Sequence, residues 1–530
     1  MRPSRFTTKC RYFWGDNYVL FALCGLIVAA LFAWQGNKGF NIADEGFLWY
    51  GAQRVLLGEV PVRDFMAYDP GRYYWAGALM SIGGDSGIMS LRAAVAVFQA
   101  LGLFVGLWLI AESAKGYSRN NLILGFFSAL TLMAWMYPRH KLFDVSSSIF
   151  LVGILTFLVR SPIPKRYFVA GLGVGLVAVF GRNHGIYGVV GSIGVMLWLN
   201  IKRGAASGFL RGALYWGLGI VAGYSPILFM ALVVPGFAAA FWDSVRLLFE
   251  QMFEHKGTNL PLPVPWPWTI KFTGVRFGEV VHQLLVGLFF VGTLVFAVAG
   301  VLWSILRKMQ ERPVPASFVS AAFLALPYAH FAFSRADVGH LAQGIFPLLI
   351  GCLALLATAE ARASWPLAMM LCAASLLVML PLHPGWECRG RDRCLDVEIS
   401  GSNLRIDRGT ANQIALLREL ADRYAPNGQS FIAVPFQVSA YPLLRRRSPM
   451  WEIYPLFPRP EAFEKKEIER IKAAQPAFAI VEEVPLDDRE ELRFKNTHPL
   501  TYRYIVENFD AVPHSSSSVY QVYKGRTPAP

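Results

Sequence analysis

The segment Tyr18 to Tyr50 reads YVLFALCGLIVAALFAWQGNKGFNIADEGFLWY. Its first half, Tyr18 to Trp34, is an apolar run long enough to cross a bilayer as a helix. Its second half sets two adjacent carboxylates, Asp44 and Glu45, a few residues past that run. A short amphipathic stretch follows, Phe47 to Leu57, and Gly58 closes it. An acid pair at the mouth of a span is costly unless water or a cation is near. The pair is therefore the leading candidate for a reactive centre. Asp44 also has a plainer reading, as the N-cap of the helix that follows it.

The rest of the chain extends the pattern of its first span. Hydrophobic residues make up 54% of the 530, charged residues 16%, and the mean hydropathy is +0.39. That is too apolar for a soluble enzyme of this length. The short alternating runs of an outer-membrane barrel are absent. About eleven spans are expected, near 17–35, 87–111, 120–137, 142–159, 167–181, 185–200, 212–234, 280–305, 316–333, 341–359 and 365–382. Arg2, Arg5, Lys9 and Arg11 precede the first run much as in a signal peptide. No small-x-small cleavage site follows, so the run reads as an uncleaved span.

The formal charge is +14, but it does not point to nucleic acid. After Gly385 there are 21 Lys and Arg against 20 Asp and Glu, so the excess belongs to the membrane part. It falls in alternate short loops, those of Lys115/Arg119, Arg160/Lys165/Arg166, Lys202/Arg203/Arg211, Arg307/Lys308/Arg312 and Arg362. The positive-inside rule makes that face, and the N-terminus with it, cytoplasmic. An odd number of spans then puts the tail outside.

The expected architecture is an all-α polytopic membrane domain, residues 1–384, followed by a small extracytoplasmic α/β domain, residues 385–530. Two outer loops are long, near 36–86 and 235–279. The second reads as an amphipathic helix, Phe241 to Phe253, then a Pro- and Trp-rich segment, Pro261 to Trp268. In the tail, helices at Ala411 to Tyr424 and Pro460 to Ala474 alternate with strands at Phe431 to Val434, Phe478 to Val481 and Val519 to Tyr523. Cys388 and Cys394 face an oxidising exterior, which favours a disulfide. A zinc site is the weaker reading, because no matching Cys or His pair is nearby.

Sidedness gathers further polar groups on the face of Asp44 and Glu45. They are Arg139-His140-Lys141 with Asp144 a turn inside the next span, Arg182 with His184, Arg335 with Asp337 and His340, and Arg92 near the outer end of its span. Arginines on one surface suit a phosphate-bearing substrate, since the guanidinium binds phosphate bidentately and keeps its charge at low dielectric. Each cluster also has a plainer reading. Arg139, His140 and Lys141 fit snorkelling residues in a tight turn. Arg182 fits a helix anchor at the headgroups, and Arg335 with Asp337 a local ion pair. Tyr50, Asp69, Arg72 and His255 are weaker candidates for acceptor or loop contacts.

The Asp-Glu pair after the first span, Tyr50 five residues beyond Glu45, the Tyr73-Tyr74-Trp75 segment before the next span and Arg92 early within it resemble the GT-C superfamily. These are integral-membrane glycosyltransferases that use lipid-linked sugars. The likeness is to the bacterial branch related to the protein O-mannosyltransferases and the lipid A aminoarabinose transferase. It is firmest from Asn41 to Arg92. One departure is Tyr68-Asp69-Pro70-Gly71, where better-known members carry Pro-Pro-Leu. The resemblance implies a GT-C-like membrane fold in a bacterial cytoplasmic (inner) membrane. It implies an inverting transfer of sugar from a polyprenyl-phosphate donor to a hydroxyl of a glycan, glycolipid or protein. Asp44 would be the base and Glu45 its partner. Arg139, His140, Arg182, His184, Arg335, His340 and Arg92 would hold the donor phosphate. No cofactor is implied firmly, and a divalent cation, Mg²⁺ or Mn²⁺, is compatible with carboxylates beside a phosphate. Two rivals share the polar face: a transporter or flippase of lipid-linked or anionic sugars, and a non-catalytic envelope-assembly partner. Transporters commonly carry internal repeats and midplane charges, and neither is evident in this sequence.

Overall fold

The computed structural model describes residues 6–114, 119–201, 206–253, 261–270, 273–390, 393–513 and 519–526. Helix α1 (Phe6–Gln35) is followed by α2 (Asp44–Leu56) and α3 (Pro70–Gly83), both inside the first long loop. Next come α4 (Ile88–Ser113), α5 (Arg119–Trp135), α6 (Leu142–Arg160), α7 (Pro164–Phe180), α8 (Arg182–Asn200) and α9 (Ala206–Val233). The second long loop carries α10 (Phe237–Phe253), which starts four residues before the expected helix. Then follow α11 (Phe277–Met309), α12 (Ala316–Ser334), α13 (Val338–Gly344), α14 (Phe346–Leu356), α15 (Ala361–Met379) and the short α16 (Pro384–Glu387).

Among the described residues, seven helices are long and apolar enough to cross a membrane. The other expected spans are helical too, for three different reasons short of that standard. The stretch at 341–359 is broken into α13 and α14, which meet at 53°. Pro347 in the first turn of α14 cannot donate to the preceding turn, which accounts for the break. Helices α5 and α7 have 17 residues each, and α8 opens with Arg182, Asn183 and His184. The chain is a multi-pass membrane protein.

Two compact units are present, each discontinuous in sequence. The first comprises Met1–Trp34, Val95–Phe229 and Asn259–Trp386. Within it α12 packs against α6, α8, α11, α13 and α14. Helices α7 and α9 approach through glycines four residues apart on both partners. Gly171 and Gly175 face the carbonyls of Trp216 and Ile220, and Gly219 and Gly223 face those of Phe168 and Leu172. A side chain at any of the four would collide with backbone, so the small residues set this contact.

The second unit comprises Gln35–Ala94, Met230–Thr258 and Glu387–Pro530. The tail opens with a hairpin, β1 (Cys394–Ile399) and β2 (Ser402–Asp407), turned at Ser400 and Gly401 with positive φ at both. Then follow α17 (Arg408–Tyr424), β3 (Ile432–Val434), α18 (Ala440–Leu443), α19 (Glu461–Ala474), β4 (Phe478–Glu482), α20 (Phe494–Thr497), α21 (Pro499–Asn508), β5 (Phe509–Val512) and β6 (Tyr520–Gly525). The sheet order is β3-β4-β6-β5, parallel between β3 and β4 and antiparallel elsewhere. Ile432, Val434, Ile471, Val481, Phe494 and Ile505 fill its core. The hairpin, α18, α20, α21 and β5 are additions to the expected strands and helices. Cys388 and Cys394 form a disulfide beside the hairpin. The first long loop is tied to that hairpin, since Gly39 N–H donates to Arg405 O at 2.9 Å and Arg405 N–H to Asn37 O at 2.8 Å.

Candidate active site

The acid pair stands in the first turn of α2, and Asn41 makes that turn possible. Its Oδ1 accepts the Asp44 N–H at 2.7 Å, and its own N–H donates to Glu45 Oε2 at 3.1 Å. This reciprocal closure satisfies two donors that a helix start leaves open. Capping therefore falls to Asn41 and not to Asp44. The half-buried Asp44 carboxylate takes an amide hydrogen from Asn41 Nδ2 at 3.2 Å and a long contact from Tyr454 Oη at 3.5 Å.

Glu45 points the other way and is 5% exposed. Arg92 of α4 grips it with two bonds, Nε to Oε1 at 2.9 Å and Nη2 to Oε2 at 2.8 Å. The same guanidinium donates to Gly36 O and Gly39 O, each at 2.7 Å. Arg92 is thus a positioning residue and not the phosphate ligand expected from the sequence. A buried carboxylate requires this counter-charge, and the fork is spent on Glu45 and the loop before it.

The tail covers the other side of α2. Ser439 donates its N–H at 2.9 Å and its hydroxyl at 2.5 Å to Ile42 O. A methyl at Gly46 would lie 2.5 Å from the Ser439 nitrogen, so only glycine permits this approach. Tyr50 is buried, with its ring against Phe65 and Tyr441 and its oxygen accepting the Ser448 N–H at 3.1 Å. Burial pushes its phenol up to about 12. Tyr50 therefore contacts the tail and leaves no face for an acceptor, a correction to its sequence role. Phe47, one turn after Asp44, meets Tyr68 at 4.7 Å and Tyr454 at 6.0 Å between ring centroids. Arg72 lies over Tyr68 at 5.0 Å. Asp69 and Arg72 are both buried at the start of α3.

Two clusters belong to the helical unit. His184 of α8 is 1% exposed, with Nε2 2.8 Å from Asp144 Oδ1 on α6 and Nδ1 2.6 Å from Tyr328 Oη on α12. Both ring nitrogens are used in joining three helices, so His184 is an internal strut and not a phosphate ligand. Asp337 caps α13 through the His340 N–H at 2.8 Å. Its carboxylate also meets Arg335 Nε at 2.9 Å and His340 Nδ1 at 3.0 Å. Burial works to raise the pKa of Asp337, but the hydrogen bond and charge of His340, with Arg335, outweigh it and hold the group below the usual carboxylate range. The local ion pair weighed from the sequence is present. Phe331 lies between the clusters, 6.0 Å from His184 and 5.9 Å from His340 between ring centroids. Arg139 and His140 are half-buried in the turn before α6, and Arg182 is half-buried at the start of α8. His255 lies outside the described residues. Among the described residues no group of three or more His, Cys, Asp or Glu side chains is placed to hold a metal ion.

No protein-family model matches the chain, and no curated protein matches it in sequence. Solved structures do match. ArnT from Cupriavidus metallidurans in the apo state superposes with a TM-score of 0.54 at 13% identity, over 97% of this chain and 98% of that one. ArnT bound to undecaprenyl phosphate gives 0.52 at 13%, over 96% and 97%. The chain has the GT-C fold. The archaeal oligosaccharyltransferase AglB from Archaeoglobus fulgidus is more distant, at 0.45 and 11% identity, over 98% of this chain and 75% of that one. Within the GT-C fold here, Asn41, Ser439, Tyr328 and Tyr454 are contacts the sequence reading did not assign. Only Asn41 carried a local signal, its three-residue spacing to Asp44.

Proposed function

We propose that the protein transfers a sugar from a polyprenyl-phosphate donor to a hydroxyl of a glycan, glycolipid or protein acceptor. The observation that carries this is the acid pair. Asn41 closes the helix start and Arg92 neutralises Glu45, so one carboxylate is locked in a buried ion pair while its neighbour stays half-exposed. The whole-length likeness to ArnT, a protein solved with undecaprenyl phosphate, supports the donor class.

In this reaction the acceptor oxygen attacks the anomeric carbon as the bond from that carbon to the phosphate oxygen breaks. The acceptor proton passes to Asp44, and the lipid phosphate leaves with the bonding electrons. A one-step displacement inverts the anomeric centre. Charge gathers on the leaving phosphate, where fixed cations lower the barrier. Arg139, Arg182 and Arg335 take that role, with His140 and His340 secondary; sidedness along the sequence puts them on the face of Asp44. That face is the outer surface of a bacterial cytoplasmic membrane. The reaction is written without a resident metal. Activity lost to a chelator and restored by Mg²⁺ or Mn²⁺ would overturn that choice.

The test is mass spectrometry of surface glycans and lipids from the native host, in wild type, deletion and Asp44→Asn strains with matched protein levels. Loss of one sugar mass in both altered strains is the expected result and names sugar and acceptor. Loss in the deletion alone would remove Asp44 as the base. Lipid-linked precursor accumulating on the inner face would favour a flippase.

A further inference from the structure

We propose that Tyr454, contributed by the C-terminal domain, is a positioning residue for Asp44. Its phenol keeps that carboxylate ionised and turned toward the acceptor hydroxyl. The proposal rests on Asp44 being the base.

Tyr454 Oη is 3.5 Å from Asp44 Oδ1, and its ring leans on Phe47, one turn along the same helix. The contact is long, but hydrogen bonds of this kind are commonly long in a resting enzyme and tighten in the substrate complex. What distinguishes Tyr454 from a tyrosine on a surface loop is how its loop is held. Two residues before it, Glu452 is 1% exposed. The Glu452 carboxylate takes Arg459 Nε at 2.6 Å and His498 Nε2 at 3.0 Å, and its N–H donates to Glu467 Oε2 at 3.0 Å. The next anchor is Trp451. Its Nε1 donates to Val62 O at 3.0 Å, and its carbonyl accepts the Met66 N–H at 2.8 Å. One side of the loop is thus pinned inside the tail and the other to the segment after α2.

A buried ionic cluster is weak evidence of stability, because desolvation offsets most of the attraction. Fixing one conformation is the better-attested use of such groups. The conformation fixed here is the one that puts a phenol beside Asp44. Several charged and titratable groups on α2 and beside it have described partners of their own. Glu45 is held by Arg92, and Glu59 at the far end by Arg54 and Arg447. Arg72 lies over Tyr68, whose ring packs on Phe47, with Asp69 buried beside it at the start of α3. Tyr441 of α18 packs on Tyr50 and bonds the backbone at Ala433.

A donor to the ionised form favours ionisation, so removing it makes Asp44 protonate at higher pH. The experiment compares full-length wild type, Tyr454→Phe and Asp44→Asn in membranes from the native host. It measures the initial rate of attaching the sugar mass that the deletion strain lacks, across pH. With Tyr454→Phe the acidic limb is expected to move up by about half to one pH unit, while the plateau changes less than about threefold. Phenylalanine keeps the ring on Phe47, so protein level and melting midpoint should match wild type. Asp44→Asn inactive with a superimposable Tyr454→Phe profile would overturn this proposal alone. A Tyr454→Phe rate lowered equally at every pH would also overturn it, by making Tyr454 a packing residue. Asp44→Asn at the wild-type rate would overturn the base assignment and this proposal together.

Discussion

Asp44 and Glu45 are neighbours with the same functional group, and their surroundings give them different work. Glu45 is buried against a fork that satisfies both its oxygens, whereas Asp44 is half-buried, with Asn41 and Tyr454 among its contacts. Asp44→Asn keeps the size and the contact to Asn41, so the chain should insert at normal levels. Its transfer rate should fall by about 100-fold or more, read from product formed in membranes. Arg92 makes the opposite forecast. Arg92→Gln strands a buried carboxylate, which should cost about 3–5 kcal/mol. A lower melting midpoint in detergent is expected. A variant of unchanged stability and weakened donor binding would return Arg92 to the phosphate.

At the scale of elements, α2 is more than the amphipathic stretch its sequence suggests. Asn41 starts it, Gly58 with φ +84° ends it, and Gly46 sets how close it comes to Ser439. The first two carry local signals in spacing and composition. The last does not, because Ser439 lies 393 positions away in sequence. Gly46→Ala should force the Ser439 segment off α2 and break the Ile42 bonds. We expect a loss of roughly 1–3 kcal/mol, as for other overpacked sites, and activity reduced in step. Faster proteolytic nicking within residues 435–458 checks it. Equal nicking in both proteins would mean that the contact yields without cost.

On the scale of the molecule, the tail and the acid-bearing loop belong to one compact unit, a grouping that no single boundary along the chain expresses. The buried cluster at its centre carries a pH signature. Burial works to raise Glu452, but Arg459 and His498 outweigh it, and the group sits below its ordinary value. Its stabilising contribution is present above the unfolded carboxylate value, about 4.3, and is lost as pH falls through the lower folded one. Burial leaves Glu467 raised instead. Its contribution is full below the unfolded value and lost as pH rises through the folded one. Glu452→Gln should therefore flatten the acid side of the stability curve, followed by intrinsic fluorescence of the full chain. An unaltered acid side would locate acid lability elsewhere.

Span length, loop charge and periodicity are local quantities, and from them the chain reads as a multi-pass helical membrane protein with a small α/β tail. The acid pair is located in the same way, since its place after the first span is a local fact. Folding in three dimensions is what separated Asp44 from Glu45, turned Arg92 and His184 from ligands into struts, and brought Tyr454 to Asp44. Those outcomes depend on which groups meet after residues 40 to 410 positions apart are folded together. Hydrogen bonding and burial are properties of the assembled surroundings, and no spacing along the chain encodes them.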